Sequence, residues 1–471
     1  MPIIQLAFRP WRRRGVAAVA AAGILAAVTA APGVGAARGA SGRVGAARSL
    51  AAVTPPVPAV IGLVNARVQQ PAPQPTSKCL TSFGVYCYTP VQYRQAYDLN
   101  GLYSDGITGK GRTIVIVDSF GSPTIRNDIQ VFDKQFGFPD PDLRVVQAGK
   151  VSSFDNKNSV MAGWADESTL DVEYAHSIAP GARIVLVETP VAETEGVTGF
   201  PEMMNAEEAL IDSGVGDVIS QSFGATENTF PGFDKGNYSS LLNLRYTFKN
   251  ALARGVTVLA ASGDAGATND ELDGVTTYKR RVDSWPSADP LVTSVGGAQL
   301  FLDDAGNRVQ ADSVWNDGSG AGGGGQSTIF GRPSFQASVR SVVGDHRGTP
   351  DISMSAGADG GCWVYQSFAA TGPGWDLLGG TSEATPIFSA VVALADQVAG
   401  HRLGLINPAL YQLGARSQAS RLALTTGIVD IATGNNSFAG VTGFNADPGY
   451  DLASGWGTID AGQFVRALAA S

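Results

Sequence analysis

The sequence is poor in the side chains on which many nucleophilic, general-base and zinc sites depend. It contains 3 histidines and 3 cysteines in 471 residues. None of their spacings matches a zinc site, which needs closely spaced Cys and His ligands. Cys79 and Cys87 lie near each other, and their spacing allows a disulfide that closes a small loop. Cys362, beside Trp363, is then left over and is interpreted as a small buried residue.

Positive charge is also scarce. The chain has 33 Lys and Arg against 42 Asp and Glu, which gives a formal net charge of -9. This balance lacks the basic surface by which proteins bind nucleic acid, so we expect no nucleic-acid partner. Because 44% of the residues are hydrophobic, the chain can bury a large core in one or two domains.

Long apolar runs are missing except near the N-terminus. Arg9, Arg12, Arg13 and Arg14 precede an Ala-rich run over residues 15–31, and small residues follow as far as Ala36. This order is typical of a secretory signal peptide, and the arginines loosely match a twin-arginine signal. We therefore predict that residues 1–36 are a signal peptide, that the protein is secreted and extracellular, and that no stable membrane anchor remains after removal of the signal.

The composition changes twice along the rest of the chain. Residues 37–87 are rich in Ala, Pro and Gln and are predicted to be a linker or short arm. From residue 88 to residue 471, short β-branched runs alternate with helical patterns. The predicted strands cover residues 113–117, 182–187, 217–220 and 255–260, and the predicted helices cover residues 203–211 and 241–253.

The predicted strands are almost continuously apolar, which is typical of a parallel sheet covered on both faces. The expected fold class is therefore α/β, with a doubly wound, mainly parallel sheet and helices on both faces. Functional sites in such sheets gather at the carboxyl ends of the strands. Asp118, Ser222 and Asp264 each follow a predicted strand, so this edge of the sheet is the expected place of the chemistry.

Ser382 is the predicted nucleophile. It follows Gly380 and Thr381 and precedes a long apolar helical pattern that contains Pro386, which the pattern places in the first turn of the helix. The free backbone amides and the positive dipole end of a helix start stabilise negative charge near a serine oxygen. A helix cap is the alternative for this serine, but the combined pattern is more specific than a cap.

A serine nucleophile needs a base, and no histidine has a suitable context. His346 and His401 lie in polar turns, and His176 ends a helical pattern, where a partly exposed His often acts as a last-turn cation. Glu167 and Asp171 lie four residues apart, on one face of a helix. Two adjacent carboxyls cannot easily both ionise, so one pKa rises and Glu167 can act as a base in acid. The alternative is that Glu167 and Asp171 lie on a solvent-exposed face of the helix and have no catalytic role.

Asp264 follows Ser262 and Gly263 after a predicted strand. A carboxylic acid that keeps its proton can donate a hydrogen bond to the oxyanion of an acyl-transfer intermediate. The alternative is a turn-forming Asp beside glycines.

Together these motifs resemble the sedolisin family of serine-carboxyl peptidases, including kumamolisin-like enzymes, over residues 88–469. The motifs stand in the order of the family: Glu167 to Asp171, the segment 220–224, the segment 262–264, and Ser382 with Pro386. The resemblance implies a subtilisin-like fold. It also implies endopeptidase or tripeptidyl-peptidase activity at acidic pH on protein or peptide substrates.

The resemblance assigns a role to each residue of the predicted site. Ser382 would attack the peptide carbonyl, and Glu167 would act first as base and then as acid. Asp171 would orient Glu167, and Asp264 would complete the oxyanion hole. Two positions differ from many kumamolisin-like enzymes: Phe223 stands where they often carry Trp, and Ser168 follows Glu167 without an aromatic residue.

The C-terminal region resembles the calcium site of the same family. The resemblance implies Ca²⁺ as a cofactor, held by carboxylates and backbone carbonyls, which are the hard oxygen ligands that calcium prefers. The implied ligands are the carboxylates of Asp430 and Asp451 and the carbonyl oxygens of Ile431, Asp447 and Gly449.

Family members are usually made with a long folded prosegment, whereas only residues 37–87 separate the predicted signal from the predicted domain. The sequence thus predicts a secreted, monomeric, calcium-stabilised endopeptidase active in acid. One alternative is a histidine-dependent subtilisin-like protease that uses Asp118, Ser382 and one of the three histidines. The other is an exported binding protein that keeps the fold without activity.

Overall fold

The structure, a computed structural model, describes residues 70–420 and 425–471 together with two short strands nearer the N-terminus. Apart from residues 4–5, the predicted signal peptide lies outside the described residues. Among the described residues, no helix combines the length and the apolar character needed to cross a bilayer.

The described strands, in chain order, are short or of medium length. They are β1 Ile4–Gln5, β2 Ile61–Gly62, β3 Cys87–Tyr88, β4 Thr113–Ser119, β5 Asp142–Gln147, β6 Arg183–Thr189, β7 Val218–Gln221, β8 Ala225–Thr226, β9 Thr257–Ala261, β10 Ser284–Trp285, β11 Thr293–Gln299, β12 Ser313–Val314, β13 Gly325–Gly331, β14 His346–Thr349, β15 Ile352–Ser355, β16 Gly361–Gln366, β17 Gly374–Gly379, β18 Ile428–Val429 and β19 Thr458–Ile459.

The α-helices include two long ones that prove central to the site. The helices are α1 Thr76–Phe83, α2 Pro90–Ala96, α3 Asn100–Ser104, α4 Ile125–Phe136, α5 Ser159–Ile178, α6 Phe200–Asp212, α7 Ser239–Leu242, α8 Tyr246–Arg254, α9 Arg340–Val343, α10 Thr381–Ala399, α11 Asn407–Ser420 and α12 Ala461–Ala469.

The largest sheet has the strand order β1-β5-β6-β4-β7-β9-β11-β12, and β15 also pairs with β11. All of its pairs are parallel except that of β11 with β12. Alternate side chains of β4 enter two separate cores: Ile114 and Ile116 pack with α5 and α10, and Val115 and Val117 pack with α6 and α8. The predicted doubly wound α/β class is therefore confirmed.

Most element bounds differ from the predicted ones by one to three residues, and three differences change the description. The helix expected over residues 241–253 is two helices, α7 and α8. Gly255 ends α8 in the left-handed region at φ 66°, which a glycine adopts without strain, and β9 therefore begins two residues later than expected. Strand β4 continues to Ser119, so Asp118 lies inside the strand instead of after it.

Part of the segment predicted as a linker is folded onto the domain. Helix α1 lies within it, and Cys79 of that helix is buried and joined to Cys87 of β3 by a disulfide. Cys362 is buried and unpaired, in agreement with its interpretation. The division of the chain at residue 87 stays a prediction.

Candidate active site

Four elements bring the predicted site residues to one edge of the main sheet. Helix α5 carries Glu167 and Asp171, and α10 carries Ser382 in its first turn. Asp264 follows β9, whose parallel neighbour β7 is followed by Ser222. The carboxyl ends of neighbouring parallel strands lie together, which explains why residues distant in sequence meet here. Each of these side chains is at least nine-tenths buried.

The local backbone at Ser382 differs from the expectation in two ways. The residue that caps α10 is Gly380, at φ 112°, so Ser382 is not a helix cap. Pro386 lies in the second turn, not in the first, because the helix begins at Thr381. A proline there cannot donate to the carbonyl of Ser382 four residues before it. The hydroxyl of Ser222 lies 3.4 Å from that carbonyl oxygen.

Glu167 and Asp171 form a buried acidic set with Asp118. The Ser222 hydroxyl donates to Asp171 Oδ1 over 2.9 Å. Burial and then the nearby Asp118 hold the pKa of Glu167 well above its usual range, and polar contact with the hydroxyl of Ser382 partly opposes this rise. Neither oxygen of Glu167 has a hydrogen-bond partner of normal geometry among the described residues.

The pKa values of the other two carboxyls change in the same direction. Burial and then Glu167 raise the pKa of Asp171 well above its usual range, and burial raises that of Asp118 to about 7. No ion pair joins any of the three to a cation in the described part of the chain. Such a set holds protons at a pH where isolated carboxyls would have lost them. The sequence analysis gave Asp118 a role only as the acid of a histidine-dependent site. Its position at the end of a predicted strand was the feature that could have indicated a place in this set.

Asp264 is held by the residue before Ser382. The backbone amide and the hydroxyl of Thr381 both donate to Asp264 Oδ1, each over 2.8 Å. The other oxygen, Oδ2, is buried without a hydrogen-bond partner. Burial raises the pKa of Asp264 to about 7, although the two bonds from Thr381 oppose the rise. In acid the carboxyl is therefore neutral, and its proton belongs on Oδ2.

The three histidines lie away from this edge. His176 follows Glu167 by nine residues on α5, roughly 13 Å along the helix axis. It is fully buried rather than partly exposed, and its Nε2 lies 2.9 Å from the carbonyl oxygen of Pro139 and 3.3 Å from Asp133. His346 and His401 are exposed. None of the three lines the cavity beside Ser382.

A cavity of about 260 Å³ opens directly beside Ser382. Its walls are the ends of two neighbouring strands, with residues 222–224 after β7 on one side and Gly263 and Asp264 after β9 on the other. Phe223 is buried and packs against Phe200 with the ring centres 6.0 Å apart. The cavity is further lined by Glu193, Glu195 and Asp270, which the motifs in the sequence did not indicate.

The predicted calcium ligands lie in one group of loops. The amide of Gly449 donates to Asp430 Oδ2 over 2.9 Å and so joins the two parts of the set. Asp451 is 4% exposed and accepts bonds from the amides of Ala453 and Asp447. Burial raises the pKa of Asp430, and it raises that of Asp451 to about 6.

The donor chemistry of this group suits a hard cation. The described residues contain no cluster of three or more His, Cys, Asp or Glu side chains that could hold a metal, so a bound ion would depend on backbone oxygens beside the two carboxylates. Backbone carbonyls of Ile431, Asp447 and Gly449 are oxygen donors of the kind that calcium accepts. The residues present therefore fit calcium and do not fit a zinc site.

Comparison with known proteins identifies the family. The subtilase family model matches residues 148–457. Kumamolisin from Bacillus sp. (strain MN-32) is 31% identical over 440 residues, which cover 89% of this chain and 71% of kumamolisin. Sedolisin from Pseudomonas sp. (strain 101) is 28% identical over 416 residues, with 86% of this chain and 66% of sedolisin covered.

A solved structure of Pseudomonas sedolisin, described as a serine-carboxyl proteinase complexed with two molecules of pseudo-iodotyrostatin, is also similar. It has a TM-score of 0.66 and 26% identity, and the match covers 82% of this chain and 99% of that one. The resemblance and the subtilisin-like fold are thus confirmed. The chain belongs to the subtilase family and, within it, is a serine-type peptidase of the sedolisin kind, similar to kumamolisin.

Proposed function

We propose that this protein is a secreted serine-carboxyl endopeptidase that hydrolyses proteins and peptides at acidic pH. The observation that supports this most is the surroundings of Ser382. The residue lies in the first turn of a long helix beside a buried set of carboxyl groups, and none of the three histidines lines the cavity next to it. A base must take the proton of a serine before or during attack, and the groups within reach are carboxyls.

In the proposed acylation step, Glu167 is the ionised member of the acidic set, and the protons of the set lie on Asp171 and Asp118. Ser382 Oγ forms a bond to the carbonyl carbon of the substrate while its proton moves to Glu167. The carbonyl π electrons move to the oxygen, which becomes an oxyanion. When the tetrahedral intermediate collapses, the C–N bond breaks and Glu167 returns the proton to the leaving amine. Water then attacks the carbonyl carbon of the acyl-enzyme while Glu167 takes its proton. The ester C–O bond breaks, Glu167 returns the proton to Ser382 Oγ, and the product is released as a carboxylic acid. Asp171, held by Ser222, orients Glu167 and limits the charge of the set.

Asp264 is proposed to stabilise the oxyanion. Because Thr381 occupies Oδ1, the proton on Oδ2 is available for donation into the cavity beside Ser382. A neutral carboxyl can donate in this way only while it keeps its proton. Since the pKa of Asp264 is raised to about 7, this interaction is present in acid and is lost as the pH rises through neutrality.

The test measures hydrolysis of a denatured protein across pH, in the presence of calcium, by the parent and by two variants. Ser382→Ala and Glu167→Gln should each reduce kcat by on the order of 10³-fold or more. Ser389→Ala is the matched control, since it removes a buried hydroxyl from the same helix at a position that bonds only to the carbonyl of Pro386. It should retain activity.

The outcomes separate the alternatives. Acid activity that is lost in Ser382→Ala and Glu167→Gln but retained in Ser389→Ala supports the proposal. Activity that survives Glu167→Gln and disappears in a histidine variant would support a histidine-dependent protease. A parent that cleaves nothing from about pH 3 to pH 8 would support an exported binding protein.

We further propose that calcium, bound by Asp430, Asp451 and the carbonyls of Ile431, Asp447 and Gly449, stabilises the C-terminal loops. A cation there would neutralise the exposed carboxylate of Asp430 and the buried one of Asp451, and binding to the folded state raises stability by mass action. Removal of calcium by a chelator should lower the Tm of the parent. Asp451→Asn should lower the Tm in calcium and make it insensitive to the chelator, whereas the exposed Asp345→Asn should behave as the parent.

The signal-like N-terminal pattern supports secretion, the acidic balance of charge supports the absence of a nucleic-acid partner, and we propose a monomer. Gel filtration of the purified protein tests the last point, and a molecular mass above that of one chain would contradict it.

A further inference from the structure

A second cavity, of about 600 Å³, opens at the carboxyl ends of β4, β5 and β6. Its walls are the loop after β4, the first turn of α4, the ends of β5 and β6, and Met161 of α5. It shares no lining residue with the cavity beside Ser382. Among the described residues that line it, Arg126 and Glu188 are the ones whose side chains can carry a charge. The second cavity therefore surrounds Glu188 but not the nucleophile.

Glu188 stands in a row of polar residues across three parallel strands. In the register of the sheet, Gln147 of β5 is the partner of Glu188 on β6, and Glu188 is the partner of Asp118 on β4. Partners on neighbouring parallel strands point to the same face, and the strands are about 4.8 Å apart. Glu188 therefore lies next to Asp118, between the second cavity and the acidic set of Glu167, Asp171 and Asp118.

The carboxyl of Glu188 is held in a fixed position. Gln147 Nε2 donates to Glu188 Oε2 over 3.0 Å. The loop after β4 passes close to the same carboxyl at Gly121, which has a φ of 72° and where a Cβ would overlap with Glu188. The side chain is 7% exposed. A carboxyl held in this way acts on its neighbour from a constant distance.

A buried hydroxyl in the second cavity indicates that water enters it. Ser122 lines the cavity and is 3% exposed, and its Oγ is buried without a hydrogen-bond partner among the described residues. Water usually satisfies such atoms, and the cavity is large enough to hold several water molecules. Glu188 can therefore ionise against water. Asp118, by contrast, has both oxygens buried without a hydrogen-bond partner of normal geometry.

The two neighbouring carboxyls should lose their protons in a fixed order. Burial raises the pKa of Glu188, and the bond from Gln147 and the charge of Arg126 oppose this rise. Burial raises the pKa of Asp118 to about 7, polar contact with Ser168 opposes the rise, and the charge of Glu188 adds to it. As the pH rises, Glu188 should therefore ionise first, and its charge should then keep the proton on Asp118.

We propose that Glu188 is a positioning residue that places the negative charge of the acidic set on Glu167 by disfavouring the same charge on Asp118. The proposal rests on the proposed function, because it requires Glu167 to be the base that takes the proton of Ser382. When the carboxyls share one negative charge, ionised Glu188 repels that charge most strongly at its direct neighbour, Asp118. Glu188 is not among the groups that most affect the pKa of Glu167.

This role depends on the charge of Glu188 and therefore on pH. In strong acid Glu188 is neutral, and it has no effect on the position of the charge. As the pH rises through the pKa of Glu188, a larger fraction of the enzyme should carry the charge on Glu167, the form that can accept a proton from Ser382. A purely structural role in packing would not produce this dependence.

The test measures kcat and KM from about pH 3.5 to about pH 6.5 for the parent, Glu188→Gln and Ser153→Ala, with calcium and one fluorogenic peptide that the parent cleaves. Glu188→Gln keeps the shape of the side chain but cannot ionise. Its kcat should match that of the parent near the acid end and be about threefold to tenfold lower at the other end. KM should change little, because the two cavities share no lining residue. Ser153→Ala removes an exposed hydroxyl from the second cavity and should follow the parent at every pH.

A second variant tests the same role without replacing the carboxyl. Gln147→Ala removes the bond that favours the ionised form of Glu188, so the pKa of Glu188 should rise. The kcat of Gln147→Ala should therefore lie below that of the parent in the middle of the pH range and approach it at the upper end. Because Gln147 is only half-buried, this variant keeps the test decisive if Glu188→Gln does not fold.

The pH profiles separate the outcomes. Equal profiles of kcat for the parent, Glu188→Gln and Gln147→Ala would overturn the proposal. A loss in Glu188→Gln that is the same at every pH would also overturn it, because loss of packing explains such a result. Activity that is abolished by Ser382→Ala and by Glu167→Gln would show that the proposed function stands even then. If the parent cleaves no peptide at any pH, the proposed function fails, and this proposal fails with it.

Discussion

Two fully buried groups of ionisable side chains avoid an unbalanced buried charge in different ways. Asp351 is balanced by a cation: Arg347 donates to both of its oxygens over 2.7 and 2.6 Å, and the Tyr411 hydroxyl adds a bond of 2.7 Å. For Glu167, by contrast, the groups that most affect the pKa after burial are carboxyls and hydroxyls, with no cation among them. A carboxyl without a cation in a buried site avoids charge by keeping its proton. A rise in pH should therefore remove protons from the second group and leave it with buried charge that no cation balances.

Removal of the cation from the Arg347–Asp351 group should produce the largest change in stability. Arg347→Met leaves the carboxylate of Asp351 buried without its partner and should lower the free energy of unfolding by about 3–5 kcal/mol near pH 7. Denaturant unfolding of the parent and the variant near pH 7 measures the effect.

The double variant Arg347→Met with Asp351→Asn provides the control, because it also removes the carboxylate that the single variant leaves buried without a partner. It should recover a substantial part of the lost stability near pH 7. A single variant that loses less than about 1 kcal/mol near pH 7 would mean that the pair is not needed to balance charge.

Both groups illustrate what could be predicted from the sequence. The pairing of Glu167 with Asp171 followed from helical spacing, and the placement of Ser382 at a helix start followed from Gly380 and the apolar pattern after it. These features depend on residues close in the chain. The presence of Asp118 beside Glu167 depends on how α5 packs across the sheet, which local patterns do not contain.

The same distinction explains the remaining misses. The position of Pro386 was wrong by one helical turn because the start of α10 depends on the backbone of Gly380. The burial of His176 results from packing against the segment of Asp133 and Pro139. The acidic walls of the cavity come from loops after β6 and β9, where no periodic pattern indicates which side chains point inward.

The role of protonated carboxyls in the site can also be tested at Asp264. Asp264→Ala removes the proposed oxyanion donor and should reduce kcat by about 10²- to 10³-fold. Asp264→Asn should retain more activity than the Ala variant, because its amide can donate to the oxyanion while its oxygen still accepts from Thr381. Since that amide does not titrate, the fall in activity of Asp264→Asn should begin at a higher pH than that of the parent.

Rate measurements from about pH 3 to pH 8 decide this point. The fall in parent activity should centre near the raised pKa of Asp264, about 7, if this carboxyl alone sets it. Equal activity of the Asn and Ala variants at every pH would mean that the hydrogen-bond donor at position 264 does not contribute to the rate.

The smallest expected effect concerns a protonated carboxyl that takes no part in the proposed chemistry. Glu383 follows Ser382 but is fully buried, and burial raises its pKa to about 8, with polar contacts from Tyr93 and Ser355 opposing the rise. Its folded-state pKa lies above its usual value of 4.5, so the folded state holds a proton that the unfolded state releases. The stability that this proton provides is fully present below about pH 4.5 and is lost as the pH rises through about 8.

Replacing Glu383 by Gln removes this titration and keeps the shape of the side chain. The free energy of unfolding of the parent should fall between pH 4.5 and pH 8 by about 2 kcal/mol more than that of Glu383→Gln, because relaxation and water entry reduce the penalty of a buried charge. Denaturant unfolding of both proteins across this range measures the difference. Asp345→Asn changes an exposed carboxyl and should keep the slope of the parent. If Glu383→Gln has the same slope as well, this residue does not hold a proton in the folded state, and the contrast with the Arg347 pair does not extend beyond the active site.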